Sequence, residues 1–175
     1  MKKFSVYILM LPMFYFISVG QDKMEVTQPN PSVNIGAGLG IPYGTIGVNI
    51  DVPLDSYFCI TGGIGTALID VAYNLGGRYY LSDPSKHFRF RVSALYGVNA
   101  ILLVIGSSGN DRTYNGLSLG VGGQWMWGES RSNGIDIDCI IIAVRGYNLD
   151  ELKKQGYLFN EPSRIKLSIG YRHTL

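Results

Sequence analysis

From Ser32 to the end of the chain, apolar and polar side chains alternate with a period of two, the repeat of an extended strand. No helical stripe interrupts the alternation before Leu149. Eight strand segments are predicted, at 32–41, 44–52, 56–66, 69–82, 87–100, 115–128, 134–145 and 163–175. One face of each is apolar: Val33, Ile35, Ala37 and Leu39 in the first, Ile46, Val48 and Ile50 in the second, Phe58, Ile60 and Ile64 in the third. The pattern continues through Ile69, Val71, Tyr73, Leu75, Tyr79 and Leu81, then Phe88, Phe90, Val92, Ala94 and Tyr96. Leu117, Leu119, Val121, Trp125 and Trp127 follow, then Ile135, Ile137 and Ile141. In the last segment Ile165, Leu167, Ile169, Tyr171, His173 and Leu175 share a face.

The opposite face is dominated by glycine and short polar residues, with Gly36, Gly38, Gly40, Gly47, Gly63, Gly65, Gly76, Gly97, Gly120, Gly122 and Gly170 all in phase. Glycine weakens a strand, so its repetition on one face needs a steric cause. Bulk water supplies none. The lumen of a narrow barrel does, because eight strands enclose only enough space for side chains to fill. The polar face is therefore expected inside and the apolar face outside. An apolar exterior implies lipid, where backbone groups must be bonded internally and a closed barrel is the spanning form open to strands. The fold class expected is all-β: an eight-stranded antiparallel up-and-down transmembrane β-barrel. Gly62, Gly77 and Gly123 break the rule on the outer face, and Tyr80, Leu95, Ile140 and Ile142 on the inner.

The N-terminus reads differently. Lys2 and Lys3 precede an apolar run, Phe4–Val19, and small residues Ser18 and Gly20 set up a cut between Gly20 and Gln21. That assigns 1–20 to a cleaved secretory signal, 21–31 to a short periplasmic lead-in and 32–175 to the barrel. Cleavage would leave 155 of the 175 residues, with 13 basic residues against 13 acidic. A neutral chain gives no electrostatic reason to bind nucleic acid. Cys59 and Cys139 fall on opposite faces of distant segments, so two free thiols are expected rather than a disulfide.

With the N-terminus in the periplasm, the turns "PLDS", "DPSKH" and "GESRSN" lie on that side and are short and rich in turn formers. The two longest connections, 100–114 and 146–162, then face outward, as in barrels of this kind. Asn148 and Glu151 suggest a capped helical turn in the second. The large aromatics Tyr57, Phe58, Tyr79, Phe88, Phe90, Trp125, Trp127 and Tyr171 collect at the periplasmic ends, an interfacial girdle. Tyr43, Tyr114 and Tyr147 would form the outer one.

The ending "RIKLSIGYRHTL" resembles the C-terminal signal of Gram-negative outer-membrane barrels, carried here by Leu167, Ile169, Tyr171 and Leu175. Leu175 stands where that family usually has Phe, and His173 where an aromatic is common. With the leader and the eight segments, the chain resembles small outer-membrane barrels of the OmpA/OmpX type. The resemblance implies residence in the outer membrane of a Gram-negative bacterium, contact with outer-membrane lipid, and recognition by the barrel-assembly machinery.

Inside, buried charge must be paired. The periplasmic half is expected to hold Asp51, Arg78, Arg89, Arg91, Asp136, Asp138 and Arg172, and the outer half Asp70 with Arg164 and Lys166. Arg78 and Arg89/Arg91 fall on neighbouring strands, so their acids are expected from across the lumen, in Asp51, Asp136 and Asp138. This network is expected to plug the barrel; a narrow solute or ion path is the alternative. No Ser/His/acid set stands out around His87 or His173, "TGGIGTA" lacks the helix a dinucleotide loop needs, and Asn110 and Asp111 read as an ordinary polar loop. No metal-ligand spacing of Cys or His appears, and no cofactor is expected. A structural or surface-interaction role follows, with an outer partner engaging 100–114 and 146–162. A lipid-modifying membrane enzyme and a soluble lipocalin-like barrel with inverted faces are the rival readings.

Overall fold

The protein is described by a computed structural model, covering residues 32–67, 70–102, 112–146 and 163–175. The leader, the cleavage site at Gly20 and Gln21, Asn110, Asp111, Tyr147 and the proposed helical turn at 148–151 lie outside those residues.

Eight antiparallel strands run in chain order: β1 Asn34–Gly40, β2 Thr45–Pro53, β3 Phe58–Thr66, β4 Val71–Tyr80, β5 Phe88–Leu102, β6 Arg112–Trp127, β7 Asn133–Ile142 and β8 Ile165–Thr174. Each pairs with its sequence neighbours, and β1 closes on β8 through the register Asn34–Thr174 to Leu39–Ile169. The sheet is thus a closed up-and-down barrel, which leaves no strand edge open along the ring. The strand predictions hold to within a few residues at each end. The register of β7, where both faces turn apolar after Asp138, places Asp136, Asp138, Ile140 and Ile142 inside and Ile135, Ile137 and Ile141 outside.

The faces are distributed as the glycine argument requires. Ile, Val, Leu, Phe, Tyr and Trp side chains cover the exterior on all eight strands, while Asn49, Asp51, Thr61, Asn74, Arg78, Arg91, Ser118, Gln124, Asp136, Asp138, Ser168 and Arg172 are buried within. Two of the three exceptional glycines outside have a local explanation, Gly62 being the one without it. The ring of Phe58 lies over Gly77 and that of Phe88 over Gly123, so a Cβ at either position would run into an aromatic face. Cys59 is buried and Cys139 half-buried, and neither is in a disulfide.

One expectation fails. Tyr43 was assigned to an outer aromatic girdle, yet it is fully buried inside the barrel. The β1–β2 connection is a single 3-10 turn, Ile41–Tyr43, that folds inward instead of projecting out. Gly40 at φ 114° and Gly44 at φ 62° make this reversal possible, since both lie in the left-handed region where a side chain is strained. The turn rests on the inner glycines: Tyr43 lies on Gly36, Gly38 and Gly170, and the Pro42 carbonyl sits against Gly63. At these positions the crowding that selects glycine comes in part from a plug made by the chain itself, whereas Gly76, Gly97, Gly120 and Gly122 are crowded by neighbouring strands and their side chains. Asn74 donates to the Ile41 carbonyl at 2.7 Å and Asn49 to that of Pro42 at 3.1 Å, so the plug's backbone is bonded in place.

Candidate functional site

The interior is layered. Nearest the Ile41–Tyr43 turn, Ile41 packs with Leu95, Ile140 and Ile142 in an apolar layer. These are three of the four apolar residues that broke the inner polar pattern, and they gather around the residue that enters from the turn.

Below it lies a layer of three arginines and three aspartates, each no more than 2% exposed. Arg78 Nη1 reaches Asp51 at 2.6 Å and Asp136 at 3.9 Å. Arg91 grips Asp138 with two atoms, Nε at 3.1 Å and Nη2 at 2.7 Å, and its Nη2 also lies 3.1 Å from Asp136. Arg172 joins Asp51 at 2.8 Å through Nη1 and bonds Asp136 through both Nε and Nη2. Asn49 accepts from Arg172 at 3.0 Å and from Arg78 at 3.4 Å, while its amide donates to Thr61 at 2.9 Å. Tyr43 adds a hydroxyl donor to Asp136 at 3.2 Å. Formal charge cancels within the layer, three against three. A buried charge cluster is tolerable only when it is balanced and bonded in this way. Arginine suits the geometry because its planar fork bonds several acceptors at once.

Of the four other charges expected in the lumen, Asp70 and Arg164 are exposed just outside their strands, whereas Arg89 and Lys166 stand at its two ends and not in the ion-paired layer. Arg89 is half-buried, stacks 3.9 Å over the Tyr80 ring and donates to the Ser82 and Ser56 carbonyls, without an ion pair among the described residues. It follows the first residue of β5, so its side chain meets the rim and its turns instead of the layer. Asp70 precedes β4 and is exposed, its carboxylate accepting from the Val71 amide at 2.7 Å. Arg164 precedes β8 and is exposed, and Lys166 is half-buried; neither forms an ion pair among the described residues. The half of the lumen on the side of the Ile41–Tyr43 turn holds the apolar layer, with Lys166 beside Ile41 at its edge. Asn49 and Tyr43 are the interior participants that alternation alone did not single out. An asparagine in phase with the glycines, opposite a turn, was the available signal for the first.

At the end that carries both described chain termini, the exposed aromatics form contacts around the rim. Tyr57 and Tyr79 stack with centroids 6.4 Å apart, Phe88 and Phe90 meet edge-on at 4.7 Å, and Trp127 lies 6.4 Å from Tyr171. Leu167, Ile169, Tyr171 and Leu175 point outward on β8 and just past it, and the Leu175 amide bonds the Val33 carbonyl at 2.9 Å. His87 Nδ1 lies 3.0 Å from the Met126 carbonyl and His173 Nδ1 lies 2.9 Å from Asn133 Oδ1. Among the described residues no group of His, Cys, Asp or Glu is arranged to hold a metal ion.

Fold and interior together define an eight-stranded antiparallel barrel with an apolar outer surface and a polar, side-chain-filled core. No family model matches the sequence, and no characterised protein matches it in sequence. Among solved structures, the N-terminal β-barrel domain of Pseudomonas aeruginosa OprF has the same fold, with a TM-score of 0.57 at 15% identity. The match covers 85% of this chain and 100% of that one. The likeness expected from the sequence is therefore met at the level of fold.

Proposed function

We propose that this chain is an integral outer-membrane β-barrel of a Gram-negative bacterium, structural or surface-interacting in role, with a lumen closed to solutes. One observation carries the proposal: the closed sheet is apolar on its outside and charged within, the reverse of a water-soluble barrel. In water, such a surface would leave a continuous apolar belt exposed, far beyond the patches that soluble monomers tolerate. In lipid the same belt is solvated, and the closed ring bonds each strand's backbone to a neighbour on both sides. The ion-paired layer and the inward turn above it support the closed lumen.

On this reading the chain is exported by its leader, cut between Gly20 and Gln21, and handed to the barrel-assembly machinery through Leu167, Ile169, Tyr171 and Leu175. Tyr57, Phe58, Tyr79, Phe88, Phe90, Trp125, Trp127 and Tyr171 then lie at the periplasmic interface of the lipid. Connections 100–114 and 146–162 face the outside, where a partner would be met. No catalytic role is assigned.

Fractionation of the native host tests residence, followed by gel mobility of the membrane-bound protein with and without boiling. The expected result is an outer-membrane band whose mobility changes on heating, and no steady channels when the purified protein is added to a planar bilayer. A soluble protein with unchanged mobility overturns the membrane reading. Steady unitary conductance overturns the closed lumen.

A further inference from the structure

Beneath the charge-balanced layer, at the end that carries both described termini, the barrel opens into a cavity of about 230 Å³. Its walls include Lys86, Arg89 and Arg131, with Asp55 the one acid among the residues that line it. Neither arginine forms an ion pair among the described residues. Arg89 is instead held by the Ser56 carbonyl at 2.8 Å and by the Tyr80 ring, and Arg131 by the Pro84 carbonyl at 3.2 Å. Carbonyls and a ring fix a guanidinium in place but leave its charge unneutralised. At this rim Asp55 Oδ1 accepts from the Tyr57 and Phe58 amides at 2.7 Å each and Asp83 Oδ1 from Ser85 at 2.7 Å, which fixes each carboxylate in its own turn without an ion pair to either arginine. Tyr80 lines the cavity with its ring, beneath Arg89, and is 4% exposed. The lumen layer supplies no surplus negative charge, because its own six ions cancel.

We propose that this cavity binds a phosphate group. Two guanidinium forks and an ammonium form a donor set suited to an anion with several equivalent oxygens. The volume falls below the roughly 300–1,000 Å³ of sites for drug-sized ligands, so what enters is a small anion or the headgroup of something larger. A free phosphate and a phospholipid headgroup share this chemistry. The assignment is independent of which compartment the cavity faces.

Calorimetric titration of the detergent-purified protein with inorganic phosphate, and separately with dihexanoyl phosphatidic acid below its micellar concentration, tests it. Saturable binding of at least one probe at one site is expected. Arg89→Gln and Arg131→Gln should each weaken it about tenfold or more, and Lys86→Gln by roughly fivefold, the loss of charge-assisted hydrogen bonds. Binding of phosphate alone identifies a free solute, of the lipid probe alone a headgroup, and of both a site that reads the phosphate itself. Heat-modifiable mobility reports whether each variant is folded, and Lys86→Gln, at an exposed position, decides the matter if an arginine variant does not fold. Absence of binding by both probes, or unchanged affinity in the folded variants, overturns the proposal.

Discussion

The hydroxyl of Tyr43 donates to Asp136 Oδ2 at 3.2 Å, joining the β1–β2 turn to a strand 93 positions further along the chain. The bond ties the inward plug to the ion-paired layer, and the two parts should respond to substitution together. Tyr43→Phe keeps the ring on its glycine bed and removes one bond to an anion that retains its arginines; a loss of about 1 kcal/mol is expected. Tyr43→Ala removes the ring as well and should cost about 3–5 kcal/mol. Urea unfolding in detergent micelles, followed by the heat-modifiable band, measures both. Equal losses would mean that the ring contributes nothing to packing.

Arg91 and Arg89 lie two positions apart on one strand and have different surroundings, which yields a second prediction. Asp138→Asn leaves Arg91 with Asp136 as its remaining acid, and removing one partner of a buried pair should cost about 3 kcal/mol. Arg89→Gln breaks a cation–ring stack and two rim hydrogen bonds outside the layer, with an expected loss of about 1 kcal/mol. Unfolding temperatures of the two variants, measured side by side, should therefore fall in that order. The reverse order would place Arg89 in the buried layer.

Much of this architecture was legible because a strand's period of two is strict: once Ile137 is outside, Asp136 and Asp138 must be inside. The same rule fails where strands end. Asp70 and Arg164 keep the inward phase on paper, but each falls one residue outside its strand, and beyond the ladder the phase has no meaning. Tyr43 could not be placed because a turn has no phase at all; Gly40 and Gly44 send it inward through backbone angles that alternation does not encode. The apolar exceptions Leu95, Ile140 and Ile142 were in fact traces of that same turn, since Ile41 completes their layer. In the ion layer the set of acids was legible, since Arg78 and Arg91 do draw on Asp51, Asp136 and Asp138, but which acid meets which arginine depends on how side chains meet across the lumen.

The exterior makes a prediction that separates lipid from water. Val121 lies between Val92 and Cys139 in the ladder, midway along the exposed part of β6, and is 57% exposed. In a bilayer Val121→Arg should cost about 2–4 kcal/mol at the midplane. On a soluble barrel, an exposed arginine would be within about 0.5 kcal/mol of neutral. Folding yield into lipid vesicles against urea should therefore drop sharply for the variant. An unchanged midpoint would mean that this face does not meet hydrocarbon.

Glycines on the two faces should also respond with opposite sign. A methyl added at Gly38 would stand 2.9 Å from Tyr43 Cε2 and 2.5 Å from the Ile169 carbonyl, with the Gly170 Cα at 2.6 Å. Two of those three neighbours are backbone and cannot move aside, so Gly38→Ala should cost at least the roughly 1–3 kcal/mol of an overpacked core. At Gly62, on the outside, the nearest side-chain atom is Leu75 Cδ1 at 3.7 Å, an ordinary contact. Gly62→Ala narrows the unfolded ensemble without a clash and should stabilise by about 0.4–1 kcal/mol. Paired urea midpoints for the two variants measure the difference. If Gly38→Ala is as benign as Gly62→Ala, the turn does not occupy the lumen, and the steric explanation for the glycine-lined interior fails with it.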